Sequence, residues 1–160
     1  MKMKIADFFN ANSVCSDLKG KTKSDIIAEL VGILIESGGI EKKHKKHIVD
    51  VLMARETLGS TAMGQGIAIP HAKSEHVKKL IGCLGISKTG INFDSLDGEP
   101  AYIFFLLIAP LDSAGPHLKA LSRISRLLKD RYFRESLRSV KDDKSIYKLV
   151  QHEDGLLIKI

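Results

Sequence analysis

Tyr102-Ile103-Phe104-Phe105-Leu106-Leu107-Ile108-Ala109 is an unbroken apolar run of eight residues closed by Pro110. Apolar side chains at every position, not every second one, predict a strand buried on both faces. Pro110 has no N–H to give to a ladder, so the run stops there. A strand covered on two faces needs helices on two sides, and the flanking sequence supplies them. Upstream, Thr22 to Ser37 carries Ile26, Ile27, Leu30, Ile33 and Leu34 on one helical face, with Gly38-Gly39 as the stop. Glu41 to Arg55 reads as a second helix whose apolar side (Ile48, Val51, Leu52) arrives late, leaving the basic run Lys42 to His47 as a solvated face. Downstream, Ser113 to about Lys129 reads as a helix with Pro116 at its first position and Leu118, Leu121, Ile124 and Leu128 as the core stripe. Arg131 to Val140 and Lys144 to His152 read as two shorter helices.

Between these lie shorter strand signals. Ile67 to Ile69 is one; Leu80 to Ser87 is another, turned at Thr89-Gly90 into Ile91-Asn92-Phe93. Leu96 to Pro100 is a turn, and Gly155 to Ile160 is too short to classify. Helices alternating with a mostly buried sheet predict a single three-layer α/β domain. With 160 residues, 44% of them hydrophobic, one such domain has ample core material.

Composition narrows function only by exclusion. No apolar stretch reaches membrane-spanning length, and Met1-Lys2-Met3-Lys4 leads into Ile5-Ala6-Asp7 without the apolar region of a signal peptide. Cys15 and Cys83 stand far apart with no CxxC, so they are read as free thiols in a reducing cytoplasm. The net charge is +6 and the pI about 9.3, but the basic residues lack interleaved aromatics and a nucleic-acid motif. His44, His47, His76 and His152 invite a metal reading. Glu41, His44, His47 and Asp50 step by three, however, and drift round a helix of 3.6 residues per turn, so no metal site is expected.

The chemistry concentrates in Glu56 to Ala72, ETLGSTAMGQGIAIPHA. Its hydroxyls and glycines suit an anion, yet Gln65-Gly66 stands where a P-loop needs Lys and Ser/Thr, and Gly64-Gln65-Gly66 runs into Ile67-Ala68-Ile69 where a dinucleotide loop needs a third glycine. Pro70 biases Ile69 toward extended geometry, so His71 leaves a strand end at a defined angle. A neutral imidazole is a competent nucleophile near pH 7, provided its other nitrogen is held as a donor. His71 is thus a candidate phosphoryl acceptor. His117, near the start of a helix where phosphate is welcome, and Arg55, whose guanidinium suits phosphate oxygens, are candidate partners.

The same stretch resembles the phosphorylation-site signature of the fructose/mannitol-type IIA proteins of the bacterial phosphotransferase system. Glu56, Met63, Gly64, Ile67, Ala68, Ile69, Pro70, His71 and Ala72 meet its fixed positions, although Ala62, Met63, Gln65 and Ala72 depart from commoner usage. The likeness continues through Ile91 to Asp94, Leu96 to Pro100, and His117 to Leu128, where Ser122 to Leu128 is most similar to the nitrogen-regulatory branch. The resemblance implies a mixed central sheet, a domain spanning 1–155 with a tail at 156–160, and no cofactor. It implies a phosphotransferase component that takes phosphate on Nε2 of His71 from a histidine-containing phosphocarrier, with His117 and Arg55 in support and Thr61 as a hydroxyl beside the site. Loop chemistry, not the resemblance, adds the backbone of Gly64 and Gly66 as phosphate-binding. A nitrogen-regulatory protein governing partner proteins is the first reading. A sugar-specific component passing phosphate to a IIB protein is the second, and a binding module with an inert histidine the third. No nucleic acid and no membrane insertion are expected.

Overall fold

The computed structural model describes residues 3–158. Its organising element is β5, Ala101–Ala109, which pairs antiparallel with β4, Ile81–Ile91, on one side. On the other side it pairs in parallel with two short pieces, β2, Ile67–Ala68, and β3, His71–Lys73. A further two-residue strand, β1, Val14–Cys15, which the sequence reading passed over, pairs in parallel with β4. The sheet is therefore mixed and open, with edges built from short strands.

Alternate residues of β5 feed two separate cores. Phe104, Leu106 and Ile108 join the cluster under α1, Lys23–Glu36, and α2, Lys45–Thr57. Ile103, Phe105 and Leu107 join the cluster under α3, Ala114–Lys129, α4, Arg131–Ser139, and α5, Asp143–Ile158. The period-two alternation of strand side chains thus makes three layers out of one apolar run. Phe104 through Ile108 are all 0% exposed. Each such burial is worth about 1.5–3 kcal/mol against a typical net stability of about 5–15 kcal/mol, so one polar substitution here removes a large share of it.

Local chemistry sets the helix ends. Thr22 caps α1 by accepting the Asp25 N–H at 3.2 Å, and Gly38, at φ 87°, ends it while Gly39 N–H closes back on the Leu34 carbonyl. The basic start of the next helix is a separate one-turn 3-10 segment, Lys42–His44, before α2 proper.

Several expectations are corrected. Thr89-Gly90 is no hairpin turn: β4 continues through it to Ile91, with a register shift between Ile86 and Ile91 that Gly90 accommodates at φ 83°. Helix α3 begins at Ala114, so Pro116 is its third residue; Leu118 is 69% exposed and stands outside the core stripe. Helix α5 runs on to Ile158, so the 155/156 division falls inside it, and residues 159 and 160 lie outside the described residues. No described helix is long and apolar enough to cross a membrane.

Candidate functional site

The edge formed by β2 and β3 is one extended segment in a single register, interrupted at Ile69-Pro70. Pro70 has no N–H, and Ile69 gives its own N–H to the Thr61 carbonyl at 3.3 Å. The Ile69 carbonyl is taken by a side chain instead: His71 Nδ1 lies 2.7 Å from it. A carbonyl oxygen only accepts, so Nδ1 carries the ring proton and Nε2 keeps its lone pair. The Pro70 carbonyl still takes the Leu107 N–H of β5 at 3.0 Å, whereas Ile69 turns its N–H and carbonyl to the outer side, and that outward carbonyl fixes the tautomer.

Ala72 enters the core beneath α1 and α2, so by strand alternation His71 projects toward α3. There it meets His117 edge to face, with ring centroids 5.6 Å apart and planes at 76°. His117 is the fourth residue of α3, and its N–H is bonded to the Ser113 carbonyl at 2.9 Å. This helix start therefore offers no free amide at His117 to welcome a phosphate, and what His117 brings to the site is its ring. That ring is 7% exposed, and its Nε2 is the buried side-chain nitrogen or oxygen that lacks a hydrogen-bond partner among the described residues. Leaving such a group unpaired costs about 1–3 kcal/mol.

Arg55, in the last turn of α2, donates from Nη1 to the Gly59 carbonyl at 2.8 Å. Its charge is felt at His71, whose pKa is lowered from the ordinary 6.5, chiefly by burial and further by Arg55, against opposing contributions from the Ile69 hydrogen bond and Glu56. The pKa of His117 is lowered as well, by burial first and then by His71 and Lys73. Both rings are therefore held neutral at pH 7, as a nucleophile and a hydrogen-bonding neighbour require.

Thr61 is near the site but otherwise engaged. It is 5% exposed, its hydroxyl donates to Glu56 Oε2, and its N–H donates to Glu56 Oε1 at 3.2 Å. Glu56, itself buried, also receives Lys23 Nζ at 3.4 Å. Thr61 is accordingly a brace that ties the end of α2 to the strand carrying His71. Sequence reading singled out Glu56 only as a signature position and missed Lys23 altogether; a carboxylate in a segment bound for the interior was the available signal that a cation had to accompany it.

Gly64 and Gly66 are not brought to His71. Gly66 accepts the N–H groups of Tyr102 and Ile103, whereas His71 stands opposite Leu107, four to five residues further along β5. At about 3.3 Å per residue that is about 13–17 Å. Their loop is also already occupied. Gln65 N–H donates to Asp97 Oδ2 at 3.1 Å, and a side chain at Gly64, φ 127°, would strike the same oxygen at 2.9 Å. Asp97 is the anion that this glycine-rich backbone receives.

Folding also brings His76 to His44 and His47, which lie about thirty residues earlier in the chain. His76 stacks on His44 at 3.7 Å between centroids and lies edge-on to His47 at 5.1 Å. Among the described residues no group of three or more His, Cys, Asp or Glu side chains is placed to hold a metal ion.

With this geometry in hand, comparison places the chain among known proteins. Residues 7–153 match the family described as phosphoenolpyruvate-dependent sugar phosphotransferase system, EIIA 2. A nitrogen regulatory protein of Bradyrhizobium diazoefficiens is 36% identical over 148 residues, 92% of this chain and 95% of that protein. The fructose-specific EIIABC component of Bacillus subtilis is 32% identical over 95% of this chain but only 24% of its own length. The crystal structure of the nitrogen regulatory protein IIA-Ntr from Neisseria meningitidis superposes with a TM-score of 0.82 at 28% identity, covering 91% of this chain and 98% of that one.

Proposed function

This chain belongs to the EIIA type-2 family of the phosphotransferase system, and from that premise we propose that His71 is its phosphoryl acceptor. Nε2 attacks the phosphorus of a phosphohistidine on a small carrier protein; the donor N–P bond breaks as the new N–P bond forms, and the donor ring leaves with its electron pair. Transfer of this kind has a loose transition state, so positioning and electrostatics dominate. The Ile69 carbonyl holds the tautomer, and Arg55 supplies a fixed cation. The observation that carries the reading is the unpaired Nε2 of His117 beside His71. A phosphoryl oxygen on His71 would give it the partner it lacks, and its charge of about −1.5 to −2 would raise the His117 pKa toward the protonated form. Chemically, this is a phosphohistidine phosphotransferase that works only with partner proteins, needs no cofactor, and acts as one unit. The two free thiols, Cys15 and Cys83, support a cytoplasmic setting.

Likeness over nearly the full length of a nitrogen regulatory protein supports a regulatory role, in which phosphate on His71 governs protein partners. The second reading, donation to a IIB protein for fructose- or mannitol-type uptake, draws support from the fructose-specific relative. Incubation with phosphoenolpyruvate and the two general carriers tests the first step: one acid-labile phosphate is expected, with a phosphorus NMR shift typical of Nε2 attachment. Offering IIB proteins to the labelled chain then separates the branches. Discharge within seconds to a sugar-specific IIB would overturn the regulatory reading.

A further inference from the structure

The net positive charge of this protein arises in one stretch. Between Ser113 and Lys141 there are eight Lys or Arg residues and two acids, so α3 and α4 carry the whole formal excess of +6, and the other residues balance at 17 of each sign. Arg123 is buried against Asp154 and Arg131 pairs with Glu135, but Lys119, Arg126 and Lys129 are exposed and have no ion pair among the described residues. Beside Lys129 lies a groove of about 390 Å³ between α3 and the 61–69 segment. Its walls are mainly apolar (Met63, Ile67, Ile69 and Leu128), with Ser125 on the helix side and Asp97 at the loop. Met63 is 71% exposed at its mouth. At the far end of the loop Gly66 abuts the Tyr102 ring, over which the Arg138 guanidinium sits at 3.6 Å. Cations thus border an apolar slot whose single carboxylate, Asp97, is already engaged by the Gln65 and Glu99 N–H groups.

We propose that this groove docks an acidic segment of a partner protein, with an apolar side chain seated between Met63 and Leu128 and carboxylates on Lys129 and Arg126. Charge complementarity selects the occupant. The cationic stripe follows α3, which at 16 residues is about 24 Å long, too extended for a small metabolite. A phosphate backbone would find charge on the stripe but nothing in the apolar slot, so a peptide chain with an apolar anchor fits better than nucleic acid. The groove runs along the sheet edge from the Gly64 loop up to Ile69, whose carbonyl receives His71 Nδ1 at 2.7 Å, so one end of it adjoins His71. That end lies within a Debye length of about 8 Å of His71, so a phosphate there repels the acidic segment and weakens docking.

The probe is a labelled peptide, Glu-Glu-Leu-Glu-Glu-Leu-Glu-Glu, followed by fluorescence anisotropy and by amide NMR. Binding that weakens as salt rises from 50 to 200 mM, with shifts at Met63, Gln65, Ser125 and Lys129, is expected. Arg126→Glu with Lys129→Glu should weaken it at least tenfold, and Ser125→Trp, which fills the slot, by a similar factor. A peptide with Ser for Leu should bind at least fivefold more weakly. These positions are exposed, so unchanged thermal unfolding and unchanged His71 phosphorylation in each variant separate a docking defect from a folding or transfer defect. Equal binding by the Ser peptide, indifference to Ser125→Trp, tighter binding to the phosphorylated chain, or displacement of the peptide by a short RNA duplex at lower concentration would each overturn the proposal.

Discussion

Two pieces of backbone a few residues apart, Gly64–Gly66 and Ile69–His71, both carry features of an anion site, and the structure treats them oppositely. The glycine loop has three consecutive positive φ angles, at Gly64, Gln65 and Gly66, and its accessible amide is already bonded to Asp97. The proline-broken strand has one ring nitrogen pinned, a second left free, and an unpaired imidazole nitrogen across from it. Glycine and strain mark where backbone is bent. Unsatisfied polar atoms mark where a ligand is still wanted.

The sharpest way to break this contrast is His71→Ala. It should lower phosphate incorporation by more than a thousandfold while the thermal midpoint moves little, because the side chain sits at a sheet edge; undiminished labelling would transfer the acceptor role elsewhere. Next, His117→Ala and Arg55→Ala should each slow transfer by about tenfold to a thousandfold in rapid-quench experiments, the range for a lost electrostatic group. Unchanged rates in both would mean that the His71 surroundings are as irrelevant to phosphate as the glycine loop. Gly64→Ala sets the opposite expectation. It combines a strained φ of 127° with a clash against Asp97 and should cost about 1–3 kcal/mol in chemical denaturation, with transfer kept within about twofold. A large loss of rate in a folded Gly64→Ala protein would restore the loop to the site.

The smallest effect is in pH. His71 and His117 have pKa values below their ordinary 6.5 in the folded protein. The unfolded chain therefore binds protons first as pH falls, so stability is full above pH 6.5 and is lost as pH drops through the lowered folded values. Denaturation midpoints at stepwise pH should show this slope, and His71→Ala with His117→Ala should flatten it.

Sequence made β5 legible because every residue of it is apolar, and made His71 legible through the signature around it. The misreadings share a cause. Thr89-Gly90 looks like a turn because glycine's positive φ serves a strand irregularity equally well. Pro116 tolerates any of the first helical positions, since none of those N–H groups needs an intrahelical partner, and so could not place the start of α3. Gly64 and Gly66 were read for what glycine permits, while Asp97, which uses that permission, lies far along the chain. The Glu56–Lys23 pair and the meeting of His76 with His44 are products of tertiary packing, which no local pattern encodes.

The interrupted edge has a consequence beyond phosphate. The strands whose apolar content would invite stacking with another molecule, β4 and β5, lie inside the sheet, each flanked by neighbours. What remains outward on one side is two residues of β1 and the irregular Ser87 to Gly90 end of β4, and on the other β2 and β3 separated by a proline without an N–H and by an isoleucine whose N–H goes to Thr61 and whose carbonyl goes to His71. A foreign strand would find no continuous row of free donors and acceptors to template on. The same break that orients the histidine makes this edge a poor seed for aggregation.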